Sequence, residues 1–154
     1  MNVGMMMSLK SNFSIATNGH VFIAVGSGAN TISYSIDNGV TWIGLGNSIF
    51  SSVAYGICWN GKMFIAGGSG TNTIAYSYNG INWTGLGTSV FSTYAYGICW
   101  NGSVFVAVGC GTNTIATSID GITWTGSLST ITNMGLGICS TSSPNLFPSV
   151  YEKK

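Results

Sequence analysis

The sequence has no arginine and very few charged side chains of any kind. Its 154 residues include four lysines and three acids, so charged residues make up 5% of the chain. They are Lys10, Lys62, Lys153, Lys154, Asp37, Asp120 and Glu152. Proteins that bind nucleic acid usually carry clusters of basic residues that neutralise phosphates, and the body of this chain has none. We therefore expect no nucleic-acid partner. Low charge also means weak repulsion between copies, which favours self-association.

Long apolar segments and metal-binding patterns are also missing. The longest apolar runs, such as residues 21–25, have the length of a strand, so we expect no membrane span. His20 is the single histidine, and the sequence around it offers no acidic or cysteine partner. No Cys-x-x-Cys or Cys/His spacing suggests a zinc site. We therefore expect no metal and no cofactor.

What the sequence has instead is an internal repeat. Asn18-Gly19, Asn60-Gly61 and Asn101-Gly102 open three similar segments, 42 and then 41 residues apart. Each copy contains four short runs rich in β-branched and aromatic residues, which predict strands. In the middle copy these runs are A (55–59), B (63–67), C (73–77) and D (81–85). Asn-Gly between two apolar runs predicts a tight hairpin, and no run shows helical periodicity.

Four antiparallel strands in a repeat of about 40 to 45 residues are typical of a β-propeller blade. We predict an all-β chain of three four-stranded antiparallel blades plus one extra strand. A β-solenoid is the alternative, but its coils usually have shorter periods and lack such hairpins. The predicted divisions are an N-terminal segment (1–10), blade 1 (11–52), blade 2 (53–93), blade 3 (94–133), and the extra strand with a C-terminal tail (134–154).

Three blades are too few for a closed propeller, which needs roughly four to eight. We therefore expect a homo-oligomer that closes the ring, with a six-bladed dimer favoured; a filament forms if the ring does not close. Residues 134–140 repeat the pattern of run A with no runs B, C and D after them. Because an unpaired strand with apolar Leu136 and Ile138 is costly to expose, we expect it to join or pack against the first blade of a neighbouring copy.

Three of the four cysteines, Cys58, Cys99 and Cys139, fall at one position of the repeat. A disulfide framework rarely places one cysteine per repeat on the same strand. Small, buried apolar side chains are the favoured interpretation, ahead of a ring of metal-binding thiols.

The turn between runs C and D matches a known pattern. Residues 35–42, Ser-Ile-Asp-Asn-Gly-Val-Thr-Trp, fit S-x-D-x-G-x-T-W throughout. Residues 77–83 and 118–124 are similar but one residue shorter, and Asn79 replaces the aspartate in the middle copy. The chain resembles Asp-box (BNR-like) repeat β-propellers, which include sialidases and sortilin-type receptors. Its repeats are also similar to those of giant-virus and metagenomic proteins. The resemblance extends from residue 18 to about residue 140.

The resemblance implies that the box is structural and lies on the face opposite the binding surface. In such a turn an Asp or Asn side chain accepts hydrogen bonds from nearby backbone amides. The glycine adopts a conformation that a Cβ atom would penalise, and the tryptophan buries its ring between neighbouring sheets. The structural box residues are Ser35, Asp37, Gly39, Trp42, Ser77, Asn79, Gly80, Trp83, Ser118, Asp120, Gly121 and Trp124.

Enzymatic activity is not expected. The sialidases that the chain resembles bind the substrate carboxylate with an arginine triad, and this chain has no arginine. Other glycosidases need two carboxylates at a set separation. Here Asp37 and Asp120 are needed in turns, and Glu152 lies close to the end of the sequence.

Two functions fit these observations. The first is a structural or scaffold role through self-assembly, in a virion, a filament or an extracellular assembly; composition and repeats favour a virion or extracellular location over the cytoplasm. The second is a carbohydrate-binding, lectin-like propeller with glycans as partners. In the competing interpretation of its candidate residues, the asparagines cap strands and the tyrosines pack between blades. The candidate ligand-binding residues are Asn30, Asn72, Asn113, Tyr55, Tyr94 and Tyr96.

Overall fold

The described part of the chain forms three four-stranded antiparallel sheets and no helix. The computed structural model describes residues 14–127, 131 and 133–138. Each sheet is a meander in which strands that are consecutive in sequence pair with each other. The prediction of an all-β chain with three four-stranded antiparallel sheets is confirmed.

The three sheets follow one another along the chain. Sheet 1 consists of β1 (Ser14–Thr17), β2 (Phe22–Val25), β3 (Ile32–Ser35) and β4 (Ile43–Gly44). Sheet 2 consists of β5 (Ala54–Trp59), β6 (Phe64–Gly68), β7 (Ile74–Ser77) and β8 (Thr84–Gly85). Sheet 3 consists of β9 (Tyr94–Trp100), β10 (Phe105–Cys110), β11 (Ile115–Ser118) and β12 (Thr125–Ser127). The N-terminal segment 1–10, Cys139 and most of the predicted tail lie outside the described residues.

The Asn-Gly pairs form the hairpins between the first two strands of each sheet. In sheet 2 the Asn60 side-chain oxygen accepts the amides of Lys62 and Met63, at 2.9 and 2.8 Å. Gly61 has a φ of 95°, in the region that favours glycine. The asparagines of the other two hairpins, Asn18 and Asn101, accept backbone amides in the same way.

The fourth strand of sheet 2 is shorter than the sequence predicts. Run D was expected at 81–85, whereas β8 spans only Thr84–Gly85. The preceding residues belong to the turn, because the Asn79 side-chain oxygen accepts the amides of Ile81 and Asn82 and holds them away from the sheet. The same turn chemistry that marks the repeat therefore delays the start of its last strand.

Neighbouring sheets pack face to face through two apolar clusters that use the same repeat positions. Between sheets 1 and 2 lie Ile23, Val25, Ile32, Phe50, Ala54, Ile57, Phe64, Ala66 and Ala75. Between sheets 2 and 3 lie Met63, Ile65, Ile74, Phe91, Ala95, Ile98, Phe105, Ala107 and Ala116. Sheet 2 thus presents one set of side chains to sheet 1 and another set to sheet 3, as the two-residue period of a strand allows.

The first strands of the sheets also contact one another directly. β5 contacts both β1 and β9, and a Cβ atom at Gly56 would lie 2.9 Å from the backbone oxygen of Tyr96. Glycine is needed at this position because the two backbones approach so closely. One repeat later, a Cβ atom at Gly97 would lie 3.3 Å from the nitrogen of Ile138. Residues 133–138 therefore lie beside β9 as β9 lies beside β5, although they belong to none of the three sheets.

Candidate functional site

The three turns that carry the tryptophans, here called the Trp turns, have one hydrogen-bond plan. In the first (35–42), Asp37 Oδ1 accepts the Ser35 hydroxyl at 2.7 Å and the Thr41 amide at 2.8 Å. In the third (118–124), Asp120 Oδ1 accepts the Ser118 hydroxyl and the amides of Ile122 and Thr123. These bonds favour the ionised carboxylate. They hold the pKa of Asp37 at about 2, chiefly through the Thr41 hydroxyl and amide, and that of Asp120 at about 2, chiefly through the amides of Ile122 and Thr123.

The middle Trp turn (77–83) differs because its acceptor is neutral. Asn79 Oδ1 accepts the Ser77 hydroxyl and the amides of Ile81 and Asn82, so the oxygen does the work of the aspartate. The amide nitrogen of Asn79 takes no part in the turn. The turn borders a groove of about 230 Å³ lined by Tyr76, Ser77, Tyr78, Asn79, Asn82 and Thr84. The third turn borders an equivalent groove of about 450 Å³, with Ile119 in the place of Tyr78. Sequence reasoning missed both grooves.

The tryptophan rings of the three turns occupy unequal environments. Trp83 and Trp124 are half-buried, and each packs on the apolar cluster shared with the preceding sheet. Trp42 has no preceding sheet among the described residues, and 41% of its surface is exposed. In all three the indole nitrogen donates to the backbone oxygen of the turn glycine. The local turn is therefore the same, and the neighbouring sheet makes the difference.

Sheets 1 and 3 each have one large outer face. No described residue covers either outer face in the way that a neighbouring sheet covers the inner faces. We call the first the leading face of sheet 1; it carries Ile15, Phe22, Ala24 and Trp42. Ile15 is 47% exposed, whereas its counterparts Ile57 and Ile98 are 6% and 7% exposed. Phe22 is half-buried, whereas its counterparts Phe64 and Phe105 are fully buried.

We call the second the trailing face of sheet 3; it carries Val104, Val106 and Ile115. All three are half-buried. Val106 corresponds to Ile23 and Ile65, which are completely buried by the sheet that follows them. The two open faces are thus the two halves of the interface that the chain already makes twice between its own sheets.

The three predicted ligand-binding asparagines bond to the backbone. Asn72 Nδ2 donates to the oxygen of Ile49 at 2.7 Å, and Asn72 Oδ1 accepts the amide of Gly87 at 2.8 Å. This side chain joins the end of its own sheet to the connection that leaves sheet 1. Asn113 Nδ2 donates in the same way to Val90, and Asn30 Oδ1 accepts the amide of Gly46. For Asn72, this occupies both ends of the side-chain amide.

The three predicted tyrosines do come together. Tyr55 on β5 lies 4.9 Å from Tyr96 and 6.1 Å from Tyr94 between ring centroids, and the rings of Tyr94 and Tyr96 stack at 5.3 Å. All three are half-buried. Burial raises the pKa of Tyr96, with smaller effects from Cys110 and the other two tyrosines. Stacked aromatic rings with hydroxyl groups at their edges can contact the apolar face of a sugar ring.

The cysteines of the repeat behave as buried side chains where they are described. Cys99 is buried, Cys58 is half-buried, and neither forms a disulfide. Burial raises the pKa of the Cys58 thiol to about 12, with a smaller contribution from Cys99. A thiol of this kind is a poor nucleophile and a poor metal ligand at neutral pH. Cys139 lies outside the described residues.

Within the described residues, no group of three or more His, Cys, Asp and Glu side chains could hold a metal ion. The same part of the chain contains no helix long and apolar enough to cross a membrane. Buried side-chain nitrogen and oxygen atoms of these residues all have hydrogen-bond partners.

Comparisons with known proteins give little beyond this geometry. No protein-family model matches the chain, and no curated protein sequence matches it. Among solved structures, the chain is similar to the crystal structure of the GH74 enzyme of Niastella koreensis, with 24% identity and a TM-score of 0.48. The match covers 74% of this chain and 17% of that chain. The present chain thus spans less than a fifth of that enzyme, and a likeness of this size carries no argument about activity. The absence of enzymatic activity stays a prediction.

Proposed function

We propose that the chain is a non-enzymatic β-propeller protein of the Asp-box kind that assembles with copies of itself and has a structural or scaffold role. The three sheets are three blades of the propeller. The assembly belongs to a virion, a filament or an extracellular structure.

One observation carries the proposal: the leading face of sheet 1 and the trailing face of sheet 3 are complementary halves of a known interface. Trp42 and Phe22 correspond to side chains that pack on the preceding sheet, and Val106 and Ile115 correspond to side chains that pack on the following sheet. A second copy supplies what each face lacks. The internal sheet interfaces serve as the template for the contact between copies.

The chemistry of the two faces supports a contact between copies. All the residues that define them are apolar, so burying them costs no desolvation of charge. Apolar surface gains about 25 cal/mol for each Å² that leaves water. Repetition of one contact with a constant rotation gives either a closed ring or a filament. Two copies with three blades each make six, within the range of four to eight that propellers use.

The oligomeric state tests this proposal. Size-exclusion chromatography with light scattering should give a multiple of 16.0 kDa, with twice that mass favoured. Val106→Asp places a charge on the trailing face and should give a monomer that keeps its β-sheet circular dichroism. Ser103→Asp, in the exposed hairpin nearby, is the matched control and should leave the oligomer intact. A compact wild-type monomer at micromolar concentration contradicts the proposal.

A second candidate function is carbohydrate binding, favoured by the cluster of Tyr55, Tyr94 and Tyr96. Its test is a glycan array followed by titration of any bound sugar. Loss of binding in Tyr94→Ala, with the oligomer intact, supports a site at this cluster. Tyr78→Ile introduces the residue that the other two Trp turns have at this position. Loss of binding in this variant would instead place the sugar in the groove of the middle turn. An array without a signal, together with a large assembly, favours the scaffold role alone.

A further inference from the structure

Residues 131 and 133–138 lie against sheet 3 through the contacts that begin a new sheet elsewhere in the chain. The Gly135 amide donates to the oxygen of Gly109 at 2.8 Å, just as the Ala54 amide donates to the oxygen of Gly26 at 2.8 Å. The Thr114 hydroxyl donates to the oxygen of Ile131 at 2.8 Å. Thr31 makes the same bond to Phe50, ahead of β5. The segment therefore lies where the first strand of a fourth sheet would lie.

The position of this segment has a steric consequence for assembly. If sheet 3 of one copy stacks on sheet 1 of the next as sheets 1 and 2 stack, the first strand of the incoming sheet must lie beside β9. Residues 133–138 already occupy that place, because Gly97 packs against Gly137 and Ile138. In the incoming copy, the same place belongs to β1 (Ser14–Thr17). Residues 133–138 of one copy and β1 of the next copy cannot both lie in this position.

We propose that the segment of one copy whose residues Gly137 and Ile138 correspond to Ser14 and Ile15 replaces β1 of the next copy as the first strand of its first sheet. The inference rests on the proposed self-assembly and names the contact that joins the copies. Strands β2, β3 and β4 of the receiving copy complete the sheet that the segment begins. β1 of the receiving copy leaves the sheet.

The register of the exchanged strand follows from the repeat. In β1, Ile15 pairs with Ala24 and Ser14 with Val25. Ile15 and Ile138 both correspond to Ile57 of β5, and Ser14 and Gly137 both correspond to Gly56. Ile138 therefore takes the position of Ile15, and Gly137 takes that of Ser14. Ile138 thus pairs with Ala24 of the receiving copy. Backbone pairing of this kind adds a strand to a sheet through main-chain hydrogen bonds.

The residue at the Ser14 position explains why the incoming strand fits better than β1. In β5 this position is Gly56, where a Cβ atom would lie 2.9 Å from the oxygen of Tyr96 on the next first strand. The incoming segment has Gly137 there, whereas β1 has Ser14 and therefore a Cβ atom. Gly137 permits the close approach to β5 of the receiving copy that Gly56 makes to β9.

Amide hydrogen exchange on the unmodified oligomer tests the replacement of β1 without any substitution. We expect the amides of residues 133–138 to be protected and those of 14–17 to exchange at least tenfold faster. The opposite pattern, with protected β1 and unprotected 133–138, overturns the inference even if the protein is an oligomer.

Disulfide crosslinking gives a second, independent readout. In the double variant Ala24→Cys with Ile138→Cys, oxidation should produce a covalent bond between two chains, identified by mass spectrometry of the linked peptides. The matched variant Ala24→Cys with Ile15→Cys should crosslink poorly, because β1 has left the sheet. Strong crosslinking within one chain between positions 15 and 24 overturns strand exchange while leaving self-assembly intact. A monomeric protein overturns both.

Discussion

Gly80 packs directly on Ile23 of the preceding sheet, and a Cβ atom at Gly80 would overlap the Ile23 side chain. At Gly39, the counterpart in the first Trp turn, a Cβ atom would meet only the Trp42 ring of its own turn, at 3.9 Å. Both glycines have positive φ, 77° and 84°. The same turn is thus an interface element in sheet 2 and an open surface in sheet 1.

This pair makes the first prediction. Gly39→Ala should lower the free energy of unfolding by about 1 to 2 kcal/mol, the cost of positive φ in a residue with a Cβ atom. Gly80→Ala should cost about 1 to 3 kcal/mol more, because it also overpacks the contact with Ile23. Urea unfolding in the monomeric Val106→Asp background measures both. Equal costs would mean that the turn glycine does not contact the preceding sheet.

In the wild-type background, Gly39→Ala should weaken assembly more than Gly80→Ala does, the reverse of their order in stability. Gly39 lies on the open face, so Gly39→Ala should weaken the association of copies. Gly80→Ala should reduce stability and leave the outer faces unchanged. Sedimentation equilibrium measures the association.

The tryptophans make the second prediction. Trp83→Ala should cost about 3 kcal/mol of unfolding free energy, at the low end for a large aromatic because the ring is half-buried. Trp42→Ala should cost no more than about 1 kcal/mol in the monomeric background. It should nevertheless weaken assembly in the wild-type background. If removal of Trp42 left the oligomer unchanged, the leading face would not be the contact surface.

The third prediction concerns pH. The folded pKa values of Asp37 and Asp120 are about 2, whereas an unfolded aspartate titrates near 3.9. A lowered folded pKa stabilises the protein above the unfolded value, and this contribution is lost as the pH falls toward the folded value. The melting temperature should therefore fall between about pH 4 and pH 2. Asp37→Asn should flatten that part of the curve, and an unchanged curve would show that the carboxylate does not stabilise the turn.

The middle Trp turn makes the fourth prediction. Asn79→Asp puts a charged acceptor opposite the Ser77 hydroxyl and the amides of Ile81 and Asn82, and charge-assisted hydrogen bonds are stronger than neutral ones. The melting temperature at pH 7 should rise by about 2 °C. The gain should shrink as the pH falls from about 4 toward 2, the range in which the aspartates of the other two turns lose their stabilising effect. A gain that persists at pH 2 would point to another cause.

The fifth prediction separates two roles of the repeated asparagines. Asn72 uses both ends of its side chain, toward Ile49 and Gly87, so Asn72→Ala should cost about 2 kcal/mol. Among the described residues, Asn30 bonds to Gly46 by its oxygen, so Asn30→Ala should cost about 1 kcal/mol. Thermal unfolding of the monomeric background measures the difference. Sugar binding that was lost in Asn72→Ala without a loss of stability would return this residue to the list of ligand-binding candidates.

The fold was predictable where the information is local. Asn60-Gly61 predicts its hairpin, and Ser35, Asp37 and Trp42 predict their turn, because each set of residues satisfies its own backbone. The late start of β8 was not predicted, since strand propensity does not reveal that Asn79 holds the two residues after Gly80.

The candidate site was predictable only in part, because it depends on neighbouring sheets. Tyr94 and Tyr96 are two residues apart, a spacing that favours one strand face, but their meeting with Tyr55 depends on the packing of β5 against β9. The exposure of Trp42 is invisible in its own turn, which matches the Asp-box pattern better than the turn of the half-buried Trp83. Only the presence or absence of a preceding sheet separates them.

The repeated use of one sheet interface also bears on how a chain of this kind can change in length. Duplication or loss of a stretch such as residues 53–93 adds or removes one sheet and joins two faces that already match. Unequal recombination between neighbouring copies in the gene therefore yields proteins that need no new core. A library of chains with two, four and five copies would be a practical source of rings and fibres of different diameter, built from a single kind of joint.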